Sequence, residues 1–486
     1  MRTGCPMLSC WAGSTARQVD LAVGPSDRSR FSMRTNRCWK QAIVLTVLAL
    51  ALPLPLHPAA ADFASARPLS LDEALQRARA ENPSLLIQRA RTARAEAVKR
   101  QTLQGLAPTI SVDATRLRWD TSLLEEVPFL EPGLPPTPTR RDLGPVEGNI
   151  AGVQLVQPLF NLGAWEARRQ ADRQVEAARL GLNRASDEVA LAVVEGYFGA
   201  GTAERRVSAE RRGLATAERA LQQAQGAFDE GLVAPVDVLR ARTRVREMEA
   251  RVAAAEGQVV GAHALLRQIL ALEDQRDLAL TDPVPVPSRP EADTPREIAQ
   301  LDERRDIRAL QEALEGERHG VRRAGAAYVP DINLLLRYQH VDADRPLSFT
   351  ESGWLAAVTL QWTPFAGFSQ AGAVDEARAS QAETRAELHA LRMEARTEAR
   401  TAFADWQAEV FAWEQAQAGI EEAEAALELT EGRYAEGLDD ITALLQAQTE
   451  ELAAFTRELN ARFGAVVAAQ RYRLAVEAGD PGDIVR

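Results

Sequence analysis

A tandem internal repeat is the feature that most constrains the fold of this chain. The stretch FDEGLVAPVDVL begins at Phe228, and YAEGLDDITALL begins at Tyr434, 206 positions later (434 − 228). Each stretch has an aromatic residue, a short polar segment, Gly-Leu and then the start of a new helical pattern. Because internal repeats decide the architecture before local detail does, the chain is predicted to build the same corner twice.

The repeat extends well beyond the two corners. The same offset relates Pro158 to Pro364, Tyr197 to Phe403 and Thr243 to Thr449. Upstream the offset is larger, and the difference falls in the Pro-rich segment 125–145, which is predicted to be a longer loop in the first copy. The predicted organisation is a leader and signal peptide at 1–61, a first structural repeat at 62–281, a Pro-rich linker at 282–297, a second repeat at 298–478 and a C-terminal tail at 479–486.

The N-terminal segment has the pattern of a secretory signal peptide. Basic residues follow Met33, an apolar run covers 42–52, and small residues at 59–61 form a cleavage site. A membrane anchor is the alternative, but the apolar run is short and is interrupted by prolines. Met33 is therefore a candidate for the true start, and cleavage is expected after Ala61. All three cysteines lie upstream of that cut, so the mature chain is expected to contain no disulfide.

Composition and motifs argue against an enzyme or a nucleic-acid-binding protein. The net charge is −12, and no basic stripe with interleaved aromatic residues is present. The chain contains neither a nucleophile elbow nor a phosphate-binding glycine loop. His263, His319, His340 and His389 are scattered without a second ligand at usable spacing. No catalytic residue, cofactor or metal site is predicted.

Each copy is predicted to contain a helix, two strands, a very long helix, the Gly-Leu corner and another long helix. In the first copy a helix begins at Ser70, with Glu73 placed for a capping box, and runs to about Gly105. The strands are predicted at 108–119 and 149–157. The long helix at 164–228 would measure roughly 95 Å, which favours antiparallel coiled-coil hairpins over a globular core.

The predicted strands have the pattern of membrane strands. In DINLLLRYQHV and WLAAVTLQW apolar side chains alternate with polar ones over about 10 residues, a length suited to a tilted membrane strand. One amphipathic sheet packed on the helices is the alternative. Because lipid cannot satisfy an open sheet edge, four strands per chain require oligomerisation, and three chains would supply twelve strands. Candidates for an aromatic girdle are Trp119, Tyr338, Trp354 and Trp362.

An ordered set of motifs resembles the TolC-type outer membrane efflux protein family. The set is LSLDEALQRARAENPSL, VQPLFNLG, FDEGLVAPVDVL, YVPDINLLLRY and YAEGLDDITALL, and the match covers about 69–475. The resemblance implies a mainly α fold, in which long helical hairpins form an α-barrel tunnel and a homotrimer shares one 12-stranded outer-membrane β-barrel. It also implies that the short helices stack end to end with the helices after the corners, and that the 282–297 linker lies in an equatorial belt.

The resemblance also implies partners and a cellular location. The protein would lie in outer-membrane lipid of a Gram-negative cell, with a large periplasmic part. It would receive drugs, metal ions or other small molecules from an inner-membrane transporter of the RND or ABC type through a periplasmic adaptor. An exit duct for type I protein secretion is one alternative. A periplasmic coiled-coil adaptor without a membrane barrel is another, and it would lack the paired strands.

The corners are predicted to form the periplasmic mouth. Gly231, Leu232, Gly437 and Leu438 are the predicted docking tips. Nearby carboxylates, tripled by symmetry, would favour cations. The resemblance suggests Asp237 and Tyr434 as a tie between neighbouring coils, and the gate candidates are Asp237, Tyr434, Asp439 and Asp440. Relatives often carry a basic residue where this chain has Asp439, and some carry acids at the positions of Ala443 and Gln446, so the family's latch is not transferred.

Overall fold

The structure is a computed structural model that describes residues 67–125, 139–273, 277–289, 300–343 and 349–477. The predicted signal peptide at 1–61, the tail at 479–486 and residues 290–297 of the predicted linker lie outside these ranges. The helices are α1 (Leu71–Glu81), α2 (Pro83–Gln101), α3 (Leu162–Asp229), α4 (Pro235–Ile269), α5 (Arg305–Gly325), α6 (Ser369–Ala435) and α7 (Ile441–Val476). The strands are β1 (Arg67–Leu69), β2 (Thr109–Glu125), β3 (Thr139–Phe160), β4 (Leu278–Leu280), β5 (Asp331–Ala343) and β6 (Phe349–Gln361).

The first helical segment is two helices and not one. Ser70 Oγ accepts a hydrogen bond from the amide of Glu73 at 3.2 Å, so the predicted start of α1 is confirmed. The helix then ends at Asn82, whose side chain caps α2 by accepting from the amide of Ser84 at 2.9 Å. The prediction of one continuous helix to Gly105 is wrong, because Pro83 has no amide hydrogen for the helical ladder and occupies the first turn of a new helix.

Two very long helices dominate the chain. Helix α3 has 68 residues and α6 has 67, so each is about 100 Å long. The prediction of a long helix at 164–228 is confirmed within two residues at each end. Val193, Tyr197 and Ala200, spaced three and four residues apart on α3, are fully buried and form its packing seam. None of the described helices is long and apolar enough to cross a membrane.

Four long strands form one antiparallel sheet in the order β2-β3-β5-β6. Hairpin β2–β3 comes from the first copy and β5–β6 from the second, and the pairing of β3 with β5 joins them. The strands have 17, 22, 13 and 13 residues, so the expectation of about 10 residues is wrong. The Pro-rich segment 125–145 is also not a loop throughout, because β2 reaches Glu125 and β3 begins at Thr139; positions 126–138 lie outside the described residues.

A small parallel pairing between the start of the first copy and its end was not predicted. Strand β1 pairs with β4, with Leu69 opposite Leu280. Behind this pair lies a core from α1, α3 and the end of α4. The described part of the linker packs nearby, since Arg462 on α7 donates hydrogen bonds to the carbonyls of Val284 at 2.7 Å and Pro285 at 3.1 Å.

Both helices that follow the corners end against a shorter helix. At the end of α4, the carbonyl of Ile269 accepts from Asn82 Nδ2 at 2.8 Å. At the end of α7, the carbonyl of Ala475 accepts from Arg304 at 2.9 Å, and Glu477 accepts from the amide of Arg305 at 2.9 Å. These contacts match the end-to-end arrangement that the family resemblance implies.

Candidate functional site

The two corners have the same backbone geometry. Gly231 and Gly437 have φ of +75° and +71°, the left-handed region in which glycine carries no steric penalty. In each corner the amide of the following leucine donates to the carbonyl five positions earlier, at 2.8 Å for Leu232 and 2.9 Å for Leu438. This is the Schellman motif, which ends the preceding helix and turns the chain.

Both corner leucines project into solvent. The exposed fraction is 74% for Leu232 and 63% for Leu438. An exposed leucine is ordinary by itself. Two leucines at equivalent turns of a duplicated chain form a repeated apolar pair at the hairpin ends, and this pair is suited to contact another protein.

The two hairpin ends lie side by side within one chain. A small apolar cluster joins α3 and α4 to α7 and contains Ala220, Ala224, Val238, Ala241, Ile441 and Leu444. The guanidinium of Arg240 on α4 also donates to the hydroxyl of Thr442 on α7 at 3.1 Å. Sequence reasoning placed the corners together through the family resemblance, but it did not identify Arg240.

Asp439 is neutralised by an arginine that sequence reasoning missed. Arg433 forms a bidentate ion pair with it across the second corner, with Nε 2.7 Å and Nη2 2.9 Å from the two carboxylate oxygens. The hydrogen bonds from Arg433 lower the pKa of Asp439, and the charge of Arg433 adds to this effect. The first corner has alanine at the position equivalent to Arg433 and valine at that of Asp439, so the pair belongs to the second corner alone.

The carboxylates of Asp440 and Asp237 lie at helix starts. Asp440 is the N-cap of α7 and accepts from the amide of Ala443 at 2.9 Å. Asp237 lies in the first turn of α4, where it accepts from the amide of Ala234 at 3.3 Å and from Arg240 at 3.4 Å. Negative charge is favourable at both places because the amide groups of a helix start are unpaired.

Tyr434 lies beside Asp237 without a hydrogen bond between their side chains among the described contacts. Its ring packs against the apolar cluster that joins the two hairpins. Burial raises the pKa of the Tyr434 phenol, and the negative charge of Asp237 adds to the effect. Within this chain the two gate candidates are therefore neighbours, while the role of the four candidates in gating stays a prediction.

An open groove lies directly above the corners, between α4 and α7. Its volume is about 600 Å³, and it is lined by Val236, Leu239, Thr243, Leu445 and Thr449 among others. Leu239 is 58% exposed, which makes the groove partly apolar. The groove is formed by the first turns of the two helices that follow the corners.

Two of the four aromatic candidates, Tyr338 and Trp354, lie on the exposed apolar face of the sheet. Tyr338 pairs with Trp354 in the register of β5 and β6, and they are 54% and 80% exposed. Trp362 follows Trp354 by eight residues, about 26 Å along the strand, which is similar to the roughly 25 Å apolar band of membrane strands. Trp119 lies in β2, opposite Val146, and its side chain is outside the described part of the structure.

Two of the histidines link helices through carboxylates. His263 on α4 lies 2.7 Å from Glu204, and His319 on α5 lies 2.6 Å from Glu166, both carboxylates belonging to α3. Among the described residues no group of histidine, cysteine and acidic side chains is arranged to hold a metal ion.

The model of the family described as "outer membrane efflux protein" matches residues 74–272 and 299–475. The chain belongs to this family. Protein CyaE of Bordetella pertussis is 27% identical over 345 residues, which cover 69% of this chain and 72% of the relative. The solved outer-membrane channel OprN has 21% identity and a TM-score of 0.71, over 85% of this chain and 90% of that one. The CmeC outer membrane channel of Campylobacter jejuni has 17% identity and a TM-score of 0.69, over 85% and 87%.

Family membership establishes the class of protein and its location. Members of the outer membrane efflux family are channels and not enzymes. This efflux protein therefore lies in the outer membrane, and it combines a helical part with a smaller sheet as the matched channels do. The alternative of a periplasmic adaptor is wrong, because the matched fold includes the strands that such an adaptor lacks.

Proposed function

We propose that three copies of this chain assemble into one exit duct, each supplying its four strands to a shared twelve-stranded barrel. The observation that carries this proposal is the sheet β2-β3-β5-β6. Strands β2 and β6 are its free edges in the described chain. Its exposed face carries Val112, Val358 and Leu360, which are 77%, 66% and 64% exposed. Lipid can cover such a face, but it cannot satisfy free edges, so the sheet must close with other copies.

The helices would extend the duct into the periplasm. Two helices of about 100 Å begin directly after the sheet, at Leu162 and Ser369. They run from the strands to the corners and so place the corner leucines far from the membrane. Each of the two repeats, joined by the linker at 282–297, would supply one hairpin of strands and one of these long helices.

The corners would dock a periplasmic adaptor protein. The exposed Leu232 and Leu438 and the groove between α4 and α7 support this role. An inner-membrane transporter of the RND or ABC type would deliver drugs, metal ions or other small molecules through the adaptor.

The proposed duct is tested by measuring how the protein assembles in its native membrane. The full-length protein is expressed in a Gram-negative host and extracted in detergent from the outer-membrane fraction, and its native mass and N-terminus are measured. A trimer that begins near Asp62 and dissociates on heating is the expected result. Efflux should be lost when the gene is deleted and should return with a plasmid copy. A monomer in the soluble periplasmic fraction would overturn the proposal.

A further inference from the structure

An ion pair crosses an intervening strand in the middle of the sheet. Nη2 of Arg337 on β5 lies 3.1 Å from Oδ2 of Asp113 on β2. These strands are not neighbours, because β3 lies between them. In the register, Asp113 is opposite Gly152 and Arg337 is opposite Gln154. The two side chains therefore meet above the backbone of β3.

Gly152 leaves the space in which the pair meets. A Cβ atom at this position would lie 3.4 Å from Asp113 Oδ1, 3.6 Å from Arg337 Nε and 3.2 Å from the carbonyl oxygen of Tyr338. Any side chain beyond Cβ would occupy the path between the two charged groups. Within the described residues the buried Nε of Arg337 has no hydrogen-bond partner, and Nη2 of the same guanidinium donates to Asp113.

The pair lies on the face of the sheet opposite the apolar one. Successive side chains of a strand point to opposite faces. Val112 and Tyr338, which adjoin the two charged residues, belong to the exposed apolar face. In a closed sheet with lipid outside, Asp113 and Arg337 therefore face the lumen, at the height of the apolar band. Their side chains are 41% and 31% exposed, so ions in the lumen could reach them.

We propose that the Asp113–Arg337 pair determines how strongly the membrane section of the duct prefers cations or anions, because each charge of the pair cancels the other at the lumen wall. This inference rests on the proposed closed barrel. An unpaired charge on the wall of a narrow passage concentrates counter-ions and repels co-ions. Loss of either partner exposes the other, so the two single losses change the preference in opposite directions.

The test is the reversal potential of single channels in planar bilayers across a potassium chloride gradient at low ionic strength, where screening is weak. Asp113→Asn should shift selectivity towards anions, and Arg337→Gln should shift it towards cations. The double variant, and the exchange of Asp113→Arg with Arg337→Asp, should return the reversal potential towards that of the parent.

Arg116→Gln is the matched control. Arg116 is on the same strand as Asp113, but it lies on the outward face and pairs with Glu147 at 3.2 Å. Its loss removes the same charge and should shift selectivity less than Arg337→Gln does. If both single variants form channels of normal conductance that keep the parent's reversal potential, or shift it in the same direction, this inference is overturned and the proposed duct is left standing. A parent protein that forms trimers but no conducting channel would overturn the proposed duct and this inference with it.

Discussion

The hydroxyl of Tyr197 donates a hydrogen bond of 2.8 Å to the backbone carbonyl of Leu69. The same oxygen accepts from the amides of Thr281 at 3.1 Å and Asp282 at 3.0 Å. One fully buried side chain of α3 thus joins β1 to the start of the linker. The second copy has Phe403 at the equivalent position and cannot make these bonds. The two repeats therefore differ in the hydrogen bonds made from this position.

Tyr197→Phe should lower stability without changing the shape of the ring. The substitution removes the buried hydrogen bond to the Leu69 carbonyl and the acceptor of the part-buried Thr281 and Asp282 amides. The Leu69 carbonyl and the Thr281 amide still bond each other at 3.1 Å, so the loss should be about that of one unsatisfied group, about 1–3 kcal/mol. The apparent melting temperature of the detergent-solubilised protein should fall. Tyr328→Phe removes the same atom from a ring that is 45% exposed, and it should leave the melting temperature close to that of the parent. Equal effects of the two variants would contradict a fastening role for Tyr197.

Arg304→Met should destabilise the junction between α5 and the end of α7. The Arg304 side chain is 2% exposed and pairs with Asp306 at 2.7 Å and Glu398 at 2.8 Å. The carboxylates of Asp306 and Glu398 are 22% and 42% exposed and keep part of their hydration. The loss should therefore lie between the about 0–1 kcal/mol of an exposed pair and the about 3–5 kcal/mol of a fully buried one. Thermal unfolding measures the loss. Arg308→Gln is the control, since its side chain is 52% exposed and lies 3.9 Å from Glu303, and exposed pairs contribute about 0–1 kcal/mol.

The ion pair of the second corner should respond to charge removal in either direction. Asp439→Asn leaves Arg433 unpaired and should reduce any preference of the channel for cations, whereas Arg433→Gln frees the carboxylate and should increase it. Reversal potentials of the two variants in planar bilayers measure both shifts. Glu436→Gln, which removes an exposed charge from the same corner, is the control. Identical reversal potentials for all variants would show that this corner does not contribute to ion selection.

The ion pair between Arg433 and Asp439 should also persist in mild acid. Hydrogen bonds from Arg433 lower the pKa of Asp439 in the folded protein. A carboxylate with a lowered folded pKa stabilises the folded state above its unfolded pKa, about 3.9 for aspartate, and loses this contribution only as the pH falls through the lowered value. The selectivity difference between the parent and Asp439→Asn should therefore persist from pH 7 to pH 5. Its disappearance within that range would contradict the assignment.

Glu451 should make the helices near the corners less stable as the pH rises. Burial raises the pKa of this carboxyl group, and the nearby charges of Glu424 and Glu431 raise it further. A raised folded pKa gives a stabilising contribution that is fully present below the unfolded value of about 4.3 and is lost as the pH rises through the folded value.

Glu451→Gln should therefore raise the melting temperature at pH 8 more than at pH 4. Glu421→Gln, an exposed glutamate on α6, is the matched control and should show no such dependence on pH. A parent protein and a Glu451→Gln variant that differ by the same amount at both pH values would exclude this linkage.

Leu232→Asp combined with Leu438→Asp should abolish export while trimers still form. The two leucines are exposed and lie outside the buried clusters, so charge there should disrupt docking and leave folding intact. Efflux of a test compound and the native mass are measured together. Leu429→Asp, at a residue on α6 that is 67% exposed, is the control away from the tips. Normal export by the double variant at normal trimer levels would rule out docking at the tips.

The sequence by itself determined the duplication, the order of the long helices and long strands, and the two corners. These features depend on local signals, namely glycine at the left-handed position after a helix and alternation along strands. Element ends were less well predicted. The break at Pro83 was missed although proline marks it, and the strands proved longer because pairing with a neighbour extends a strand past prolines at its end.

Only the tertiary structure decided which charges meet. The sequence predicts Asp439 as one of the carboxylates of an acidic mouth, and the turn brings Arg433 to it. Asp113 and Arg337 are 224 positions apart in the chain. No local pattern predicts such pairs, because their distance depends on strand register and on the small residue between them. The fastening of Tyr197 to Leu69 likewise depends on how α3 packs behind β1 and β4. Local preference therefore sets the elements of this channel, and their packing sets which charged side chains pair in the sheet and at the second corner.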